Sequence, residues 1–153
     1  ITYDSKMTLT EGNEEIELYN FGSAHTDGDS VVVFKNHNII HTGDAFVRYG
    51  YPYVDLNNGG SIKGLIDLLS SLELLCDDKT IIMPGHGDLS NREDVTKLKK
   101  SLLKLYNKTL IGLKDGLDYQ EISESIDETL YNNETVKLNY IKSIDLELSR
   151  KKL

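Results

Sequence analysis

The stretch "TIIMPGHGDLS", residues 80–90, begins as an apolar strand, stops at Pro84 and sets His86 between Gly85 and Gly87. A histidine whose neighbours carry no side chains has few packing partners and lies open to a close-approaching ligand. Two other stretches share this grammar of a strand end, a glycine and a polar side chain. "GSAHTDGDS" (22–30) places His25 before the β-branched run "VVVF" (31–34), and "IIHTGDAF" (39–46) places Asp44 just beyond an apolar run. Loops at strand ends commonly carry functional groups, because the sheet fixes them and the loop exposes them.

The elements around these stretches follow from periodicity. Residues 6–21 alternate apolar and polar on both sides of "EGN" (11–13), which predicts a hairpin turning at Gly12 and Asn13. The run 31–35 predicts a strand covered on both faces, and the turn "NHN" (36–38) predicts that "IIHTGD" pairs antiparallel with it. Residues 47–60, rich in Tyr, Gly, Asn and Pro without a period, read as a loop. Ser61 reads as the N-cap of a helix whose Ile62, Leu65, Ile66, Leu69 and Leu72 share one face, followed by the strand "TIIMP".

Beyond Asp88 the pattern is helical. Val95, Leu98, Leu102 and Leu105 form a stripe on a helix expected to stop near Gly116, and Asp118 with Glu121 predicts a capping box for a helix holding Ile122, Ile126 and Leu130. Residues 136–153 predict a last helix with a basic end. The chain reads as one α+β unit, with a sheet, one helix and the polar motifs over about 1–90 and a helical tail over 91–153.

Composition narrows the functions. With 25 acidic and 17 basic residues the net charge is -8, which opposes attraction to nucleic acid or to an anionic membrane. No apolar run reaches the roughly 20 residues that span a bilayer. The single Cys76 cannot form an internal disulfide and reads as a core residue. There is no G-x-S-x-G elbow, phosphate-binding glycine loop or cysteine pair for a zinc ribbon.

Imidazole nitrogen and carboxylate oxygen are donors that zinc accepts in hydrolytic sites. His25, Asp44 and His86 are therefore candidate ligands, although separations of 19 and 42 residues match no local zinc pattern. Each has a plainer reading. Asp44 is a candidate turn cap, and His25 a turn residue with Asp27 and Asp29 as solvated neighbours. Asp27 and Asp29 are also candidates to hold a ligand's other ring nitrogen. His41 reads as sheet surface or as a supporting donor, and His37 as exposed and inert. The "GG" of "LNNGGS" (56–61) offers an anion a helix N-terminus, although a well-made cap is the commoner use of such a sequence.

Taken together and in order, "GSAHTDGDSVVVF", "IIHTGDAF" and "IIMPGHG" resemble the third, fourth and fifth metal-binding motifs of the metallo-β-lactamase fold superfamily. "YPYVDLNNGGSIKGLIDLL" (51–69) and "LIGLKDGLDYQEISESI" (110–126) resemble uncharacterised members of it, so the likeness covers most of the chain. The resemblance implies the C-terminal half of an αββα sandwich, with a mixed or antiparallel sheet flanked by helices. It implies two zinc ions in the intact protein, with His25 completing the first site, Asp44 bridging both ions as the catalytic carboxylate and His86 binding the second. It further implies hydrolysis of an ester, thioester, lactone or amide-like bond in a small-molecule substrate by a metal-activated water.

The superfamily's H-x-H-x-D-H signature is absent, and residues 1–24 contain no histidine. The expectation is therefore a partial domain whose zinc is weak or missing and which alone is inactive. A lone half would leave an apolar sheet face bare, so a homo-oligomer, or pairing with the missing N-terminal half, is expected. The competing reading is a non-catalytic, metal-free binding or oligomerisation module.

Overall fold

The computed structural model describes residues 2–127, 130 and 133–150. Five strands lie side by side in chain order: β1 (Lys6–Glu11), β2 (Glu14–Tyr19), β3 (Val31–Phe34), β4 (Ile39–His41) and β5 (Ile81–Met83). The predicted hairpin forms with Glu11 opposite Glu14, and Gly12 supplies the positive φ of 60°. β3 and β4 pair antiparallel as expected, around a left-handed Asn38. β5 joins β4 in parallel, which requires the crossover that residues 42–80 supply.

That crossover contains α1 (Ile62–Leu75), whose buried Ile62, Leu65, Ile66, Leu68, Leu69 and Leu72 pack on the sheet beneath. Ser61 caps it by accepting the Gly64 N–H. The tail forms α2 (Arg92–Lys114), α3 (Tyr119–Glu124) and α4 (Glu134–Arg150). α2 ends in a Schellman motif: Leu117 N–H reaches Gly112 O and Gly116 N–H reaches Leu113 O, with Gly116 left-handed.

α3 is shorter than its apolar spacing predicts. The expected capping box of Asp118 and Glu121 is present, but the helix stops at Glu124 and leaves Ile126 buried in the turn beyond. Lys137 of α4 explains the stop, since its Nζ donates to Ser123 O and Ile126 O and so ties off the helix end. Leu130 therefore lies outside α3 and is exposed. α4 covers the predicted last helix as far as Arg150, and residues 151–153 lie outside the described residues.

The helices cover one face of the sheet. Val31, Val33, Ile40 and Ile82 point into this core, with Cys76 also buried and its thiol pushed up to about 11 by desolvation. Strand register places Met7, Leu9, Ile16, Leu18, Val32, Phe34, Ile39, His41, Ile81 and Met83 on the other face. Nine of these ten are apolar and none is buried, so the second face has no cover among the described residues. No described helix is long and apolar enough to cross a membrane.

Candidate metal centre

Three loops meet where β4 and β5 end. Asp44 sits in a single 3-10 turn (Gly43–Ala45) directly after β4. His86 follows β5, held by an isolated parallel bridge to Val47 and by Arg48 N–H donating to His86 O. His25 lies in the loop before β3, where Asp29 accepts the backbone N–H groups of His25 and Thr26 and the Thr26 hydroxyl. Asp29 thus builds the turn rather than supporting a ring nitrogen.

The three side chains converge. His86 Nε2 lies 3.3 Å from Asp44 Oδ1, and His25 Nε2 lies 3.9 Å from Asp44 Oδ2. Each histidine therefore addresses a different oxygen of one carboxylate. The Tyr53 carbonyl lies 2.7 Å from His25 Nδ1 and takes the supporting place considered for Asp27 or Asp29. A proton on Nδ1, donated to that carbonyl, leaves the Nε2 lone pair turned toward Asp44.

The glycines beside His86 serve packing of the site itself. A Cβ on Gly85 would collide with Asp44 Oδ1 and sit 2.7 Å from the Gly43 backbone, and one on Gly87 would lie 2.6 Å from Arg48 Cβ. The space beside Gly85 and Gly87 is thus occupied by Asp44 and Arg48, while the His86 ring itself stays exposed.

The donor set fits zinc in kind. A tetrahedral zinc with arms of about 2.0–2.1 Å has ligand-to-ligand edges of roughly 3.3 Å. The His86–Asp44 separation matches such an edge, and the His25–Asp44 separation is wider. The carboxylate turns one oxygen toward each histidine, so either histidine with Asp44 would offer a metal two donors. Each half then has two donors from this chain, and among the described residues no group of three or more His, Cys, Asp or Glu is arranged to hold a metal.

The remaining candidates resolve locally. His41 Nδ1 accepts the Gly43 N–H and so steadies the turn carrying Asp44. His37 is exposed but pairs with Glu14 Oε2 at 2.6 Å. The N-terminus of α1 takes no external anion, because Glu147 of α4 already accepts Ser61 Oγ at 2.8 Å and Ile62 N–H at 2.9 Å. Sequence reasoning missed Tyr49 and Tyr53 in the loop 47–60. Tyr49 packs edge-on against His86 with centroids 6.3 Å apart, and Tyr53 against His25 at 6.1 Å.

No protein-family model matches the sequence, and no curated protein matches it significantly. Solved structures do match. A metallo-β-lactamase from Pontibacter korlensis is similar over 67% of this chain and 47% of its own, with TM-score 0.57 and 18% identity. The metallo-β-lactamase DIM-1 matches 65% of this chain and 45% of its own, with TM-score 0.52 and 22% identity. The stereoselective inverting sec-alkylsulfatase Pisa1 from Pseudomonas sp. matches 92% of this chain and 25% of its own, with TM-score 0.71 and 14% identity. The chain thus spans about half the length of the two lactamases and a quarter of the sulfatase. At such identities the likeness is one of architecture, and the mixed sheet with helices on one face is a portion of the metallo-β-lactamase fold.

Proposed function

We propose that this chain contributes His25, Asp44 and His86 to the metal centre of a hydrolase that cleaves an ester, thioester, lactone or amide-like bond with an activated water. The observation that carries the reading is the convergence of two imidazole Nε2 atoms on the two oxygens of Asp44. Zinc held there would supply Lewis acidity, lowering the pKa of water and polarising the bond under attack.

The chain's own residues set the geometry. The Tyr53 carbonyl fixes the His25 ring, so that its Nε2 keeps a free lone pair. Gly85 admits the Asp44 carboxylate between the two histidines, and His41 holds the Gly43 amide that aims it. Asp44 serves both halves at once, which makes it the residue whose loss is felt by each. With two donors per half, this chain alone is a weak site, and further ligands complete it in the intact protein. A non-catalytic module would leave the meeting of three ligand-competent side chains without a purpose.

The test is zinc affinity by chelator competition, together with ester and lactam hydrolysis, for the intact protein and its His86→Ala and Asp44→Asn variants. Each substitution is expected to weaken zinc by about tenfold or more and to abolish hydrolysis. Unchanged zinc affinity in Asp44→Asn would remove the basis of the assignment.

A further inference from the structure

Among the described tyrosines and phenylalanines only Tyr49 and Tyr53 are exposed, at 68% and 69%. An exposed aromatic residue alone requires no explanation. Here both come from one loop, and each stands edge-on to a different site histidine, at interplanar angles of 67° and 66°. The order across the site is Tyr53, His25, Asp44, His86, Tyr49. The two largest solvent-facing apolar surfaces of the loop thus bracket the carboxylate on which both histidines converge.

Backbone hydrogen bonds keep this loop in place. Asp55 N–H donates to His25 O at 2.8 Å, Arg48 N–H donates to His86 O at 3.0 Å, and the Tyr140 hydroxyl of α4 donates to Pro52 O. The residues flanking both tyrosines are therefore tied to the loops that carry the histidines and to α4. Tyr53 also borders a cavity of about 290 Å³ whose apolar wall is Val54, Ile62 and Tyr140. Asn139, Lys142 and Ser143 line the rest of that cavity.

We propose that Tyr49 and Tyr53 are substrate-binding residues, selecting carbonyl substrates that carry an aryl group beside the bond to be cleaved. The ring faces supply the contact, through offset or edge-on stacking, and the hydroxyls are dispensable. The substrate assignment rests on the hydrolase reading above, whereas the binding of a flat ring does not.

The test is binding of phenylacetate against acetate, two carboxylates that differ by one phenyl ring, to the intact zinc-loaded protein. Dissociation constants come from calorimetry, and tyrosine ring resonances are followed by NMR. Phenylacetate is expected to bind about tenfold more tightly than acetate and to shift the Tyr49 and Tyr53 ring signals. Y49A/Y53A should bring the two affinities together, and Y49F/Y53F, which keeps the rings, should preserve the preference. Equal affinities in the wild type, or a preference that survives Y49A/Y53A, would overturn the proposal. Should the protein bind phenylacetate through these rings yet hydrolyse no ester, the hydrolase reading fails and the ring-binding site stands. Hydrolysis of acetyl and phenylacetyl esters with equal efficiency, unaffected by Y49A/Y53A, has the opposite meaning.

Discussion

Gly85 shows how a single missing side chain can set a site. Its Cα faces the Asp44 carboxylate and the Gly43 carbonyl so closely that a methyl group has no room. Gly85→Ala should therefore push Asp44 away from His86 and weaken zinc by about 10- to 100-fold, measured by chelator competition. Gly28→Ala, where a Cβ meets nothing within 4 Å, is the matched control and should bind as the wild type does. Glu17 makes a second residue-scale case. It is buried on β2 and accepts from Lys6 Nζ at 2.6 Å and the Tyr19 hydroxyl at 2.8 Å, with Lys35 Nζ 3.3 Å away. The hydrogen bond from Lys6 is foremost in lowering its pKa from an ordinary 4.5 to about 2. A folded value below the unfolded one means that this carboxylate stabilises fully above pH 4.5 and loses its contribution as the pH falls toward 2. Glu17→Gln should flatten the fall in unfolding free energy across that interval, followed by urea denaturation at successive pH values.

At the scale of elements, a carboxylate of α4 joins that helix to the start of α1. Glu147 reaches from α4 to the first turn of α1 and satisfies one backbone N–H and the capping hydroxyl there. Glu147→Ala should cost about 2 kcal/mol, read as a lower urea midpoint with unchanged m-value. The elements themselves were largely legible beforehand. The Ser61 cap, the stripe on α2, the Gly116 stop and the Asp118 capping box are local signals, because each involves residues within one or two helical turns. The early end of α3 was not legible. It depends on Lys137, which comes from the next helix and lies 14 residues from Ser123. Glu147 was hidden for the same reason, since a carboxylate on a polar-looking helix gives no sign that it will cap another helix 85 residues away.

For the whole molecule, the decisive feature is the bare sheet face. The ten side chains from Met7 to Met83 form a contiguous surface five strands wide, apolar except for His41, with no layer over it among the described residues. Exposed apolar areas of this extent mark interaction surfaces. A sheet face can be self-complementary about a two-fold axis, so the 153-residue chain by itself is expected to associate with a second copy face to face. Sedimentation velocity should show concentration-dependent dimer, and Phe34→Asp should shift it toward monomer by placing like charges against each other. A wild-type chain that stays monomeric at all concentrations would contradict this.

Sequence alone determined the strands, the helices apart from the end of α3, the Ser61 and Asp118 caps and the three polar residues at strand ends, because hydrophobic period, turn chemistry and capping act between near neighbours along the chain. That His25, Asp44 and His86 share a site was implied by the family resemblance and by no spacing along the chain; tertiary structure alone decided how closely they approach, that the Tyr53 carbonyl orients the first of them, and that Tyr49 and Tyr53 stand beside the two histidines. The physical reason is that these are distances between loops brought together by strand order. Pairing β5 in parallel with β4 sets their C-terminal ends side by side, and no periodicity within either segment encodes that choice.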